Sequence, residues 1–253
     1  IGDEGGFVDE VKDEPWRRVR LLGRAELDIG YFYRLQFKLR TAVSHYQNAI
    51  TLYRQVDILS EMATAVNNLS YAYSLLGSLD EAEALANDAI DIRTRLGRRY
   101  DEALSRNTRG EVALAADEPH RARAFSQQAL TLLTEAGGAE ANRRASGLIH
   151  RTLGEACRRL ANLHDLGVYD EEKAVEYFVK GRDHLQNALD LFKQLGSSQT
   201  LDVFAELGRL YRDWTRLLGR LGNKQEMRER CSQAEHFFEK ALQAAQQQKA
   251  THT

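Results

Sequence analysis

Three stretches of this chain lie on one another at intervals of 40 residues, and two more follow in the same frame. Those beginning at Ala42, Ala82 and Ala122 read AVSHYQNAITLY, AEALANDAIDIR and ARAFSQQALTLL, and those beginning at Gly181 and Ala234 read GRDHLQNALDLF and AEHFFEKALQAA. Each carries a small residue, a second position four later and an alanine seven later. The triplets are Ala42/Tyr46/Ala49, Ala82/Ala86/Ala89, Ala122/Ser126/Ala129, Gly181/Leu185/Ala188 and Ala234/Phe238/Ala241. Steps of four and then three stay on one helical face, where small side chains let a neighbouring helix come close. Repetition at this period restricts the fold to a stack of like units.

A second pattern precedes each triplet. It reads Ile29-Gly30-x-x-Tyr33, Leu69-Ser70-x-x-Tyr73, Arg109-Gly110-x-x-Ala113, Leu153-Gly154-x-x-Cys157 and Leu207-Gly208-x-x-Tyr211. A bulky and a small side chain again share a face, so two such helices nest as a hairpin and hairpins stack. On these residues the chain resembles the tetratricopeptide family, whose pattern is L-G-x-x-Y, then A-x-x-x-F, then a closing alanine. The resemblance covers roughly residues 20 to 245, and the period matches the long repeats of kinesin light chain and of bacterial signalling proteins. It implies an all-α fold: a right-handed superhelical array of five antiparallel helical hairpins, an α-solenoid. Two features depart from the family pattern. Glu26, Val66, Arg106, His150 and Phe204 stand where tryptophan is usual, and Leu96-Gly97, Ala136-Gly137 and Leu195-Gly196 replace the closing proline as glycine caps.

Composition agrees with helix. The only prolines are Pro15 and Pro119, and long stretches carry Ala, Leu, Glu, Arg and Gln. No segment alternates apolar and polar at strand period. Residues 1–14 read as an acidic, glycine-rich N-terminal segment or linker, and 249–253 as a polar tail. Between them, 15–248 form a single repeat domain with hairpins at about 15–56, 58–97, 98–137, 139–196 and 199–248. The start at Ile1, with no polar capping helix before the first hairpin, suggests a piece of something longer.

Hairpins four and five differ in length. From Gly30 to Ala42, Ser70 to Ala82 and Gly110 to Ala122 the interval is 12 residues, but it is 27 from Gly154 to Gly181 and 26 from Gly208 to Ala234. Shared between two arms, the surplus lengthens each helix by about seven residues, roughly 10 Å. The last two hairpins should therefore be elongated. Ser78-x-x-Glu81 and Asn223-x-x-Glu226 read as capping boxes, and Pro119 suits the first turn of a helix.

The resemblance implies that first helices line a concave groove. The stripe offset from the Leu-Gly-Tyr face holds Leu27/Tyr31/Arg34, Asn67/Tyr71/Ser74, Asn107/Glu111/Leu114, Arg151/Glu155/Arg158 and Ala205/Arg209/Arg212, bordered by Asn68, Thr108 and Thr152. Asparagine offers donor and acceptor together, suited to an extended peptide backbone; Asn68 matches the asparagine before Leu-Gly in peptide-binding members. Arg151, Arg158, Arg209 and Arg212 face one stripe carboxylate, Glu155, which Arg151 is expected to engage one turn away. They suggest a grip on an acidic or phosphorylated segment, because arginine pairs such groups bidentately. The alternative is a solvated face with internal ion pairs.

Other functions find little support. The net charge of −2 gives no global basic field for nucleic acid, and the first three hairpins supply no basic stripe. No apolar run is long enough to span a membrane. Cys157 and Cys231 fit no ligand spacing and suit a reducing, cytoplasmic compartment. His150, Cys157 and His164 recur every seven residues, too far apart along a helix to share a metal ion, so no metal, cofactor or catalytic residue is assigned. The expectation is a non-enzymatic scaffold whose groove binds a protein or peptide. Its alternative is the ligand-sensing arm of a larger bacterial signalling ATPase or transcriptional regulator. The long hairpins could equally serve a homodimer.

Overall fold

The computed structural model describes residues 14–137, 142–163, 167–168 and 170–250. The acidic N-terminal segment, except Glu14, and residues 251–253 of the tail lie outside the described residues. Ten α-helices follow in order: α1 (Pro15–Leu35), α2 (Leu39–Gln55), α3 (Leu59–Leu76), α4 (Leu79–Arg95) and α5 (Arg99–Ala115), then α6 (Pro119–Glu135), α7 (Arg143–Asn162), α8 (Glu171–Gln194), α9 (Thr200–Arg220) and α10 (Lys224–Ala250). Among the described residues there is no strand. The fold is an all-α solenoid in which each helix packs on the next.

The triplets explain how the arms nest. Ala42, Tyr46 and Ala49 are fully buried, as are Ala82, Ala86 and Ala89 and then Ala122, Ser126 and Ala129. Facing them stand the small residues of the first helices. A Cβ added to Gly30 would lie 2.7 Å from the Tyr46 ring, and one added to Gly208 would lie 2.7 Å from Phe238. At Ser70 the hydroxyl instead donates to the Ala82 carbonyl at 2.7 Å. Close approach here is a property of backbone against side chain, and it recurs in every hairpin.

The turns share one device. Phe37, Asp57, Gly77, Gly97, Asp117 and Gly137 all have positive φ and follow the ends of α1 to α6 in turn. Gly97, Gly137 and Gly196 are the expected glycine caps, with φ of 64°, 126° and 58°. Pro119 opens α6 as expected. At Asn223 half of the box forms: the Glu226 amide donates to Asn223 Oδ1 at 3.2 Å, while the Glu226 carboxylate accepts from the Asn223 side chain and the Asn223 backbone N–H goes to Leu218. The Ser78 box does not form. With ψ at 74°, short of the extended conformation, Ser78 makes no side-chain cap. Asp170, not singled out from sequence, caps α8 by accepting from the Lys173 amide at 2.8 Å.

Lengthening of the last hairpins is real but uneven. α4, α5 and α6 have 17 residues each, α7 has 20, α8 has 24, α9 has 21 and α10 has 27. In hairpin four the turn takes up part of the insertion, so α7 gains less than its partner. No helix is long and apolar enough to cross a membrane among the described residues.

Candidate binding groove

Beyond the neighbour-to-neighbour contacts, α1 touches α3, α3 touches α5, α5 touches α7 and α7 touches α9. No second helix touches another second helix among the described residues. First helices therefore form the continuous inner wall of the curve.

Polar side chains from successive first helices meet along that wall. The Arg34 guanidinium lies 4.9 Å from the Tyr31 ring centroid and 5.0 Å from that of Tyr71. Arg151 donates to Glu111 on the preceding hairpin. Arg159 donates to Glu155 at 2.7 Å and to the Leu114 carbonyl at 2.8 Å, satisfying an acceptor at the end of α5. Tyr71, Glu111, Arg151, Glu155 and Arg159 line a cleft of ≈ 170 Å³.

The charges of this wall feel one another across hairpins. Glu111, with burial second, pushes the Tyr71 phenol up to about 12. Burial raises the Glu111 carboxyl despite the opposing pull of Arg151 and Arg34. Burial works against the charge of Arg151, yet Glu111, Tyr71 and Asp202 hold its value above the ordinary one. Asp202 sits in the first turn of α9. Groups on α1, α3, α5, α7 and α9 thus share one electrostatic neighbourhood, as a concave surface requires.

Farther along, Arg158 donates to Asp213 at 2.9 Å and to Glu206 at 3.2 Å, tying α7 to α9. Asn162 adds a bond to Asp213 at 3.0 Å. Burial opposes the charge on Asp213, but donors from Asn162, Arg212 and Arg158 keep its carboxyl below the usual range. The side chains of Glu206 and Asp213 are only 7% and 4% exposed. Arg209 reaches the same Glu206, and Arg212 and Arg216 the same Asp213. Their side chains remain 46%, 46% and 64% exposed. Four arginines on two carboxylates leave a local excess of positive charge facing solvent.

Several expected groove positions are elsewhere. Asn107 is buried, lying between α5 and α6 and accepting from the Ser126 hydroxyl at 3.4 Å. Thr108 and Thr152 are buried and bond back to Leu104 and Leu148 of their own helices. No asparagine ladder forms, although Asn68 is partly exposed and Asn67 keeps a buried Oδ1 with no hydrogen-bond partner. Arg158, 11% exposed, is a clip inside the wall and not a surface for a partner. Glu155 is engaged by Arg159, not by Arg151. The carboxylates Glu111, Glu206 and Asp213 neutralise arginines from other hairpins, a pairing that no local spacing reveals.

His150 turns toward His184 of α8, with Nδ1 atoms 2.9 Å apart. Cys157 is buried, which pushes its thiol up to about 11. His164 lies outside the described residues. Among the described residues no three His, Cys, Asp or Glu side chains converge as a metal site would need.

The sequence match bears on the first three hairpins. Residues 21–95 and 61–135 match the family model described as tetratricopeptide repeat. Residues 21–135 are a tetratricopeptide-repeat array. Its period is the long one, and hairpins four and five continue the frame of the matched region. The fold of the whole chain is similar to a kinesin light chain array of nearly identical repeats from Podosopora anserina, at 15% identity and a TM-score of 0.55, covering 90% of this chain and 98% of that one. It is similar to BtubC from P. vanneervenii, at 15% identity and 0.56, covering 92% and 83%. It is also similar to the Rap conjugation gene regulator of plasmid pLS20 in complex with the Phr* peptide, at 15% and 0.52, covering 92% and 65%. No curated protein sequence matches.

Proposed function

We propose that the tetratricopeptide array is a scaffold that binds a protein or peptide along the wall made by α1, α3, α5, α7 and α9. The observation that carries this reading is the continuity of that wall: among the described residues, first helices touch one another from end to end and second helices do not. Its polar groups converge on a central cleft, where an extended chain would meet donors and acceptors from several hairpins at once. The peptide complex of the Rap regulator supports the choice of ligand class.

The partner carries an acidic or phosphorylated segment toward hairpin five. There Arg209, Arg212 and Arg216 stand outside two buried carboxylates that hold their bases in place without cancelling their charge. Arg158 and Arg151 contribute position, not binding. A pull-down with the array, repeated with Arg209→Glu and Arg212→Glu together, tests this. Partner recovery should fall at least about tenfold, as loss of charge-assisted contacts predicts; unchanged recovery removes the acidic end of the proposal.

A second reading, a ligand-sensing arm of a larger regulator, draws support from the regulatory role of the Rap neighbour. It differs in outcome: ligand would then change an attached effector. Comparing effector activity with and without the array separates the two.

A further inference from the structure

Arg34 stands apart from the other stripe arginines. Arg151, Arg158, Arg209 and Arg212 each hold a carboxylate. No carboxylate among the described residues forms an ion pair with Arg34. Its neighbours are aromatic: Tyr31 of its own helix and Tyr71 of the next hairpin, at 4.9 and 5.0 Å, with the buried Tyr46 phenol also sensing its charge. Glu111 feels its charge but is engaged by Arg151.

This arrangement has a definite chemical consequence. Rings near the guanidinium attract its charge and restrict the side chain, while its N–H groups bond in the plane of the fork. A fork held in this way loses less freedom on binding than a solvated arginine does. Tyr71 remains a protonated phenol at neutral pH, so it can donate to an anion beside the guanidinium. Tyr71 also lines the central cleft, so it links the guanidinium to that space.

We infer that Arg34, with Tyr31 and Tyr71, is an oxyanion site at the hairpin-one end of the groove, taking a carboxylate or phosphoryl oxygen of the bound chain. The inference rests on the groove reading and deepens it. It gives the ligand a second anionic anchor, separate from the arginines of hairpin five, and Arg34 is the member that makes the contact.

The test uses the full chain with arginine side chains labelled by ¹⁵N, the Arg34 Nε signal being identified by its loss in Arg34→Lys. Two capped pentapeptide probes are titrated, Gly-Ser-Glu-Ser-Gly and its counterpart with phosphoserine in place of glutamate. A saturable shift at Arg34 with the glutamate probe identifies a carboxylate site, and one with the phosphoserine probe alone a phosphoryl site; both support the inference. Arg34→Lys, with unchanged melting, should weaken binding of the responsive probe by roughly tenfold, because a point charge cannot replace the fork. Tyr31→Leu, which keeps the charge but removes one ring, should weaken it by a smaller factor. Shifts confined to Arg209 and Arg212, or no shift at all, overturn the Arg34 site. Neither result bears on whether partners enter from the inner wall, which cross-linking reads separately.

Discussion

Arg158 on α7 donates to Asp213 on α9 across 2.9 Å, joining residues 55 positions apart at the floor of the last two hairpins. Asp213 also receives Asn162, Arg212 and Arg216, so its charge is the anchor of the cluster. Asp213→Asn leaves Arg158 with Glu206 alone and weakens the charge-assisted bonds from Asn162 and Arg212. It should cost about 1.5–3 kcal/mol in chemical denaturation. A loss near zero would mean that water reaches Arg158 freely.

Two glycines of long helices should respond in opposite directions. An alanine at Gly30 would push its Cβ to 2.7 Å from the Tyr46 ring and 3.3 Å from the Ala42 carbonyl. Overpacking of this kind costs roughly 1–3 kcal/mol. At Gly219 the nearest atom is 3.4 Å away, on the flexible Met227 side chain. Gly219→Ala should be neutral or stabilising by up to about 1 kcal/mol through helix propensity. Paired denaturation curves decide the matter.

The same register position is buried in one hairpin and open in another. Leu153 is fully buried in α7, whereas Ile29, its counterpart in α1, is 41% exposed beside the exposed Leu22 and Phe32. Leu153→Ala should cost about 2–5 kcal/mol and Ile29→Ala below about 1 kcal/mol. Equal losses would contradict the burial difference.

The His150–His184 pair makes stability fall in mild acid. Burial, with His184 second, holds His150 down to about 4, and burial also lowers His184 despite Asp183; Arg123 and Lys180 add to the lowering. His150 stays neutral in the fold, and His184 takes up a proton less readily there, while the unfolded chain takes up protons near pH 6.5. Stability is therefore complete above about pH 6.5 and declines as pH falls toward 4. For His150 the loss is on the order of 2–3 kcal/mol. Melting temperatures from pH 7.5 to 4.5 should drop in the wild type and drop less in His150→Gln.

Much of this architecture is legible in the sequence because repetition averages out local ambiguity. The triplet at Ala42, Tyr46 and Ala49 says little alone, but five copies in frame fix both the helical face and the partner helix. Glycine caps at Gly97, Gly137 and Gly196 are equally plain, since they follow from backbone geometry at the residue itself. The groove is less legible. Asn107 falls on the expected stripe, yet it is buried toward α6, where it accepts from the Ser126 hydroxyl. Arg151 has Glu155 one turn away but bonds Glu111 on the adjacent first helix, while Arg159 takes Glu155. Sequence spacing reports neighbours within a helix; the ion pairs of the wall are made between helices.

Photo-cross-linking tests the binding wall most directly. A benzoylphenylalanine is placed at position 71 or 209 on first helices, and at position 91 or 127, exposed on the second helices α4 and α6. With the partner recovered by pull-down, covalent adducts should form from 71 and 209 and not from 91 and 127. Adducts arising only from 91 and 127 would place the partner on the outer face and contradict the account.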